Sequence, residues 1–101
     1  MTLEELKDEL CTTQLPVAYR FFAAPQQPPF ICYMVTEAEP VYADDAVYVS
    51  FPKVRVELYT DKKDPQAEAT VEIALKPFCW AKTETYIDSE KMYLITYEFE
   101  V

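Results

Sequence analysis

Apolar residues recur at helical spacing in two stretches of the chain. In the first stretch, Leu3, Leu6 and Leu10 form one stripe. Thr2 and Glu5 stand three residues apart at its start, as in a capping box that closes the amino end of a helix. The pattern predicts a helix over about residues 3–11.

The second helical stretch follows Asp64 and Pro65, which suit an N-cap and the first position of a helix. This helix is predicted to extend to about Lys76, because Pro77 ends it. Its buried stripe is expected to contain Ala67, Val71, Ala74 and Leu75. Its solvent-exposed face is expected to contain Glu68, Glu72 and Lys76.

Alternating apolar and polar positions predict four strands, over about residues 30–36, 47–59, 79–87 and 92–101. In the second strand the apolar positions change from odd to even numbers at Pro52, which predicts a β-bulge at that residue. Cys32 and Met34 in the first strand, and Met92 and Leu94 in the last, alternate with the residues expected in the core. In each of these two strands, the second face is therefore expected to be partly apolar.

The predicted elements make residues 1–101 a single α+β domain with the order α-β-β-α-β-β. Its sheet is expected to be mostly antiparallel and four-stranded, with both helices on one face. Residues 17–29 are predicted to be a connector, in which Pro28 and Pro29 favour an ordered lead-in to the first strand over a PxxP-type ligand. Tyr19, Phe21 and Phe22 are expected to anchor the core or an interface.

Composition excludes several kinds of site. The chain has neither glycine nor histidine, so it lacks glycine-rich phosphate loops and the usual general base and zinc ligand. Cys11, Cys32 and Cys79 form no C-x-x-C pair and are expected to be buried, reduced thiols. No signal-peptide pattern and no apolar run of membrane-spanning length is found, so we expect a cytosolic protein without membrane contact.

Carboxylate pairs are the remaining candidates for catalysis or metal binding. Asp44 is adjacent to Asp45, and Glu98 and Glu100 lie on one strand face, roughly 7 Å apart. Asp61 with Asp64 resembles a divalent-metal pair, although helix capping accounts for Asp64. Solvent-exposed polar positions explain these residues equally well, so no enzyme activity, cofactor or metal site is predicted.

Charge bears on the choice of partner. Nine basic residues against eighteen acidic residues give a net charge of −9. Such a chain repels nucleic acid over most of its surface, and sequence-specific binding of nucleic acid is not expected. An acidic domain can still line a DNA channel without holding the DNA, or mimic DNA toward a basic partner. Charge alone does not decide between these two possibilities.

Several segments resemble small proteins encoded in the morphogenesis modules of tailed phages and prophages of Gram-positive bacteria. The segments are residues 15–19 (LPVAY) with 28–31 (PPFI), 58–65 (LYTDKKDP), 83–93 (TETYIDSEKMY) and 97–101 (YEFEV). The chain is similar in this way to tail-completion or tail-terminator proteins, with a head–tail joining protein as the neighbouring possibility. The resemblance implies an α+β fold and a homo-oligomeric ring, commonly a hexamer, through which DNA passes. It also implies contacts with the tail tube and head connector proteins, and a place in the host cytoplasm during assembly and then in the virion.

Two groups of residues are candidates for contacts in such a ring. The acidic segment 37–45, predicted to be part of a long hairpin, carries Glu37, Glu39, Asp44 and Asp45 and is expected to project toward the channel or a neighbouring subunit. The apolar candidates for inter-subunit contacts are Cys32, Met34, Met92 and Leu94. The alternatives are an acidic DNA mimic that binds a basic host factor, and a small metal-dependent hydrolase in which Asp61 participates.

Overall fold

Within residues 3–24, 26–43 and 46–100, which the computed structural model describes, the chain forms two helices and five strands. In chain order these elements are α1 (Leu3–Cys11), β1 (Val17–Tyr19), β2 (Phe30–Ala43), β3 (Ala46–Thr60), α2 (Pro65–Ala74), β4 (Ala81–Ile87) and β5 (Met92–Glu100). The α+β class is confirmed. The element order differs from the predicted one by an additional strand before β2.

The five strands form one mixed sheet with the order β1-β2-β3-β5-β4. β1 lies parallel to β2, with Val17 opposite Ile31 and Tyr19 opposite Tyr33, and all other pairs are antiparallel. The predicted four-stranded sheet was therefore wrong by one strand. Three residues after Pro16 are too few to show an alternating pattern, and the strand exists because β2 supplies its hydrogen-bonding partner.

Both helices pack on one face of the sheet. Leu6 and Leu10 of α1 and Val71 of α2 are fully buried against residues of β2, β3 and β5. The core consists of Leu6, Leu10, Ile31, Tyr33, Val54, Val56, Leu58, Val71, Leu75, Ile95, Tyr97 and Phe99. The burial of Leu6, Leu10, Val71, Ala74 and Leu75 confirms these positions of the predicted stripes, whereas the side chain of Leu3 lies outside the described ones. Burial of these residues supplies the main stabilisation of the domain.

The start of α2 is as predicted. The backbone N–H of Ala67 donates to the Asp64 carboxylate at 3.1 Å, and Pro65 is the first helical residue. The helix ends at Ala74, two residues earlier than predicted, and the Leu75 N–H donates to the Val71 carbonyl at 3.0 Å. Thr2, the predicted N-cap of α1, lies outside the described residues.

β2 and β3 form a hairpin that is longer than the predicted strands. Val35 pairs with Val54 and Glu37 pairs with Lys53, so Thr36 is the extra residue of a bulge on β2. The predicted bulge at Pro52 was wrong, because Pro52 pairs in register with Ala38. The pattern of one strand shows only that the register changes, whereas the extra residue can lie on either strand of the pair.

The outer part of this hairpin, residues 37–43 and 46–52, is called the arm below. β1 pairs with β2 only as far as Tyr33, and β5 pairs with β3 only as far as Lys53. Among the described residues, the two strands of the arm therefore pair with each other alone. The chain measures 50 × 28 × 25 Å along its principal axes.

Candidate interaction surface

The sheet face opposite the helices, called the open face below, holds the four predicted apolar contact residues. The register places Cys32 opposite Glu57, and Leu94 opposite Tyr59. Cys32 is buried, and Met34, Met92 and Leu94 are half-buried. The structure thus brings Cys32, Met34, Met92 and Leu94 to one surface, and their role in contacts between subunits stays a prediction.

Three aromatic rings form a layer at one end of the open face, where β2 begins and β3 ends. Phe30 stacks on Tyr59 with ring centroids 4.8 Å apart, and Phe22 meets Phe30 edge-on at 5.5 Å. Offset stacking and edge-to-face contact are both favourable arrangements of aromatic rings. The layer therefore fixes residues 20–24, which come from the connector, against the open face.

A groove of about 400 Å³ lies beside this layer. Its apolar lining includes Phe21, Phe22, Phe30, Tyr59 and Met92. Arg20 and Glu90 are the charged residues in the lining, so the groove combines an apolar lining with two opposite charges. We call it the open-face groove.

Phe21 is the most exposed aromatic side chain of this surface. Its side chain is 73% exposed, whereas that of Tyr19 is 43% exposed and packs edge-on against Tyr33 at 5.2 Å. The backbone around Phe21 is well anchored: the Arg20 N–H donates to the Tyr33 carbonyl at 2.9 Å, and the Phe21 N–H donates to the Tyr19 carbonyl at 2.8 Å. Arg20 adopts φ = 67°, a left-handed conformation that turns the chain here.

The open face also carries charged side chains. Arg55 forms an ion pair with Glu98 at 3.3 Å across β3 and β5. The Tyr59 hydroxyl donates to a Glu57 carboxylate oxygen at 3.3 Å. Burial and the nearby Glu57 charge raise the pKa of Tyr59 above its ordinary value of 10. Apolar and charged residues are therefore neighbours on the open face, since Cys32 lies opposite Glu57 and Met34 opposite Arg55.

The acidic candidates lie partly in the arm. Glu37 pairs with Lys53 and Glu39 with Phe51 in the β2–β3 register, which confirms that they belong to a hairpin. Asp44 and Asp45 lie outside the described residues. Their predicted approach to a channel or to a neighbouring subunit therefore stays a prediction.

The other carboxylates that the sequence offered as catalytic candidates are the pair Glu98 and Glu100 and the pair Asp61 and Asp64. Glu98 is paired with Arg55, Glu100 pairs with Lys53 in the strand register, and Asp64 caps α2. Asp61 is exposed. Among residues 3–24, 26–43 and 46–100, no group of three or more His, Cys, Asp or Glu side chains is placed to hold a metal ion.

An ionic network around the buried Glu68, which the sequence did not predict, joins α2 to β4. Lys82 contacts Glu68 at 2.7 Å and Glu72 at 2.8 Å, and Lys63 contacts Glu68 at 2.9 Å. The Tyr97 hydroxyl donates to Glu72 at 2.8 Å. Glu68 is only 4% exposed and Glu72 is half-buried, so their predicted place on a solvent-exposed helix face was wrong.

Lys82 and Lys63 stabilise the ionised form of Glu68. Burial alone favours the neutral acid, but hydrogen bonds and charge from Lys82 and Lys63 outweigh it and lower the pKa of the Glu68 carboxyl. Burial and the hydrogen bond to Glu72 raise the pKa of Tyr97. The network is a structural connection between α2 and the edge of the sheet, with no free nucleophile or base in it.

The three cysteines form no disulfide, and only Cys32 is buried. The prediction of burial was wrong for Cys11 and Cys79, which are exposed. Burial raises the pKa of the Cys32 thiol, and the charge of Glu57 adds to this effect. A thiol in that state is a poor nucleophile at neutral pH.

No helix among the described residues is long and apolar enough to cross a membrane. No protein-family model matches the sequence, and no curated protein matches it at a significant level. The features of the chain that bear on its function are therefore the open face with its groove, the arm, and the acidic net charge.

Proposed function

We propose that the chain is a structural virion-assembly protein that completes a phage tail and joins it to the head. In this proposal it acts as a homo-oligomeric ring around the DNA channel and contacts the tail tube and head connector proteins. The observation that carries the proposal is the arm, a two-stranded element that extends past the five-stranded part of the domain. Catalysis has no comparable support among the described side chains.

An extended hairpin of this kind favours contact with another subunit. A two-stranded ribbon is marginally stable in water, because it buries little apolar surface on its own. The arm also consists mostly of valine, tyrosine, alanine, proline and phenylalanine between positions 40 and 52. Such a segment gains stability when a second surface covers it.

The net charge of −9 is compatible with a protein that surrounds DNA without holding it. Acidic residues repel the phosphate backbone, so DNA can move through a ring that has an acidic lumen. The same charge supports the competing proposal, an acidic DNA mimic that binds a basic host factor. The arm favours assembly, since a mimic needs an acidic surface and has no use for an apolar projection.

The specific assignment to tail completion rests on the resemblance of the sequence segments to that group. These segments include the residues around β1 and the start of β2, the turn before α2, and the β4–β5 hairpin. A head–tail joining protein is the closest variant of the same proposal.

Negative-stain electron microscopy of the purified full chain tests the proposal. We expect ring-shaped particles with a central hole, formed by several copies of the chain. Particles of single-subunit size, together with stoichiometric binding to one basic host protein, would instead support the DNA-mimic alternative and overturn the assembly proposal.

A further inference from the structure

We infer that the arm of one copy docks into the open-face groove of a second copy, in a head-to-tail contact. This inference rests on the proposed self-association and identifies the surfaces that produce it. The contact joins residues 37–43 and 46–52 of one chain to the groove beside Phe21, Phe22 and Tyr59 of another.

The groove has the features of a receptor for an apolar segment. Phe21 is 73% exposed and lines a cavity of about 400 Å³ together with Phe30, Tyr59 and Met92. Exposed aromatic residues around an apolar depression are typical of protein–protein contacts. Residues 20–24 are held by backbone hydrogen bonds and by the Phe22–Phe30 contact, so the receptor is formed before the partner arrives.

The arm has the composition of a suitable ligand. Apart from Asp44, Asp45 and Ser50, every residue between positions 40 and 52 is apolar, aromatic or proline. Both alternating sets of positions are apolar, so neither set is suited to face water. The described part of the same chain offers the arm no further strand beyond its own pair.

A contact between the arm and the groove requires two copies of the chain, because the two surfaces lie at opposite ends of the same hairpin. The groove lies where β2 begins at Phe30 and β3 ends near Tyr59, whereas the arm is the opposite end of the same two strands. The arm begins at Glu37, seven residues and about 23 Å along β2 from Phe30 at the usual rise per residue, and it extends away from the groove, so it cannot reach the groove of its own chain. A contact between two different surfaces is heterologous, and it produces closed rings or open stacks according to the rotation between copies.

Charge at the groove acts in two directions. The exposed Arg20 attracts Glu37 and Glu39 of the arm. Glu90 in the same lining reduces this attraction. The apolar contact is therefore the main term, and Arg20 favours the acidic arm over a basic segment.

Two variants of the full chain separate the two surfaces. Phe21→Glu alters the groove at an exposed position, and the double substitution Val41→Lys with Val49→Glu alters the arm. Val41 and Val49 are register partners, so the introduced opposite charges preserve the hairpin and leave the net charge unchanged. Ile73→Glu on α2 is the matched control, because Ile73 is 74% exposed and receives the same added charge.

Light scattering on a size-exclusion column then gives the mass of each protein and of mixtures. We expect each variant to weaken self-association at least tenfold, as the loss of a buried aromatic or two valines implies, while Ile73→Glu behaves like the unmodified chain. In an equimolar mixture, the groove variant supplies an intact arm and the arm variant supplies an intact groove. It is expected to form a complex of two subunits and nothing larger.

Three outcomes overturn the inference. If both variants assemble like the unmodified chain, the docking contact is wrong while self-association stands. If both fold by circular dichroism but their mixture stays monomeric, the pairing of arm with groove is wrong. If the unmodified chain is itself monomeric throughout, the docking and the proposed function fail together.

Discussion

Glu68 is a buried carboxylate whose position is explained by its neighbours on two other segments of the chain. It contacts Lys82 of β4 at 2.7 Å and Lys63, which precedes α2, at 2.9 Å. Both lysines reach solvent, so they retain part of their hydration while neutralising the acid. Glu68 thus connects α2 to the β4 edge of the sheet without leaving an unpaired charge in the interior.

The substitution Glu68→Gln is expected to lower the free energy of unfolding by about 2 kcal/mol, a value reduced by the solvent exposure of both lysines. The measurement is urea unfolding at neutral pH. Glu84→Gln is the matched control, because Glu84 also contacts Lys63 but is exposed, and we expect its effect to stay below about 1 kcal/mol. Equal effects of the two substitutions would contradict the importance of burial at Glu68.

The difference in the free energy of unfolding between the original chain and the Glu68→Gln variant is expected to depend on pH. The pKa of Glu68 is lower in the folded chain than its ordinary value of 4.5, so the folded state favours the carboxylate. This stabilisation is fully present above the ordinary pKa and is lost as the pH falls through the folded-state pKa. Unfolding measured from neutral to acidic pH should show the two proteins converging in acid, and a constant difference would contradict this.

Helix periodicity could not reveal this network. It correctly placed Val71 and Leu75 in the core, but it assigned Glu68 to solvent because only the helix itself enters such a pattern. One ion-pair partner of Glu68 is Lys82, which lies fourteen positions later on an edge strand. Contacts of that kind depend on the packing of whole elements and are not encoded in one segment.

At the scale of elements, α2 has a well-defined beginning. The Asp64 carboxylate accepts a hydrogen bond from the Ala67 N–H at 3.1 Å. This bond satisfies one of the backbone N–H groups that have no partner within the helix at its amino end. Asp64→Ala is expected to lower the free energy of unfolding by about 1 kcal/mol. Thermal and urea unfolding measure the effect.

Asp61→Ala is the control for the cap, since Asp61 is exposed in the turn that precedes α2. It is expected to leave stability nearly unchanged. The same variant addresses the hydrolase alternative, because a metal-dependent activity that vanished with Asp61 would contradict a purely structural role. Equal losses of stability at positions 61 and 64 would contradict the assignment of the cap.

Strong local patterns predicted most of the elements, and pairing between strands supplied the rest. The alternation in β5 predicted its start at Met92 and its course through Glu100, and the Asp64–Pro65 pair predicted the start of α2. β1 was missed because three residues are too short for a pattern. The bulge was assigned to Pro52 instead of Thr36, because the sequence of one strand carries no information about which partner holds the extra residue.

The sequence predicted several residues of the candidate surface, but it did not predict the shape of that surface. The alternation placed Cys32, Met34, Met92 and Leu94 on the second faces of their own strands, and the strand register brings all four to the open face. The groove depends on Phe21 and Phe22, which were expected to be anchors without a known location. Their position over the sheet follows from the left-handed turn at Arg20, and no glycine marks that turn in the sequence.

For the whole molecule, the net charge of −9 opposes any contact between copies. Salt screens this repulsion between exposed charges and leaves apolar contacts in place. We therefore expect self-association to strengthen as ionic strength rises, measured as mass by light scattering over a series of salt concentrations. Dissociation of the oligomer in salt would contradict an apolar contact and would indicate that ion pairs hold the copies together.

Self-association is the central claim, and the mass of the full chain in solution tests it most directly. Light scattering across a wide range of protein concentration, at physiological salt, is the measurement. The proposal predicts masses that rise from the 11.8 kDa subunit toward a defined multiple of it. A constant mass of one subunit at every concentration and salt condition would contradict the proposal.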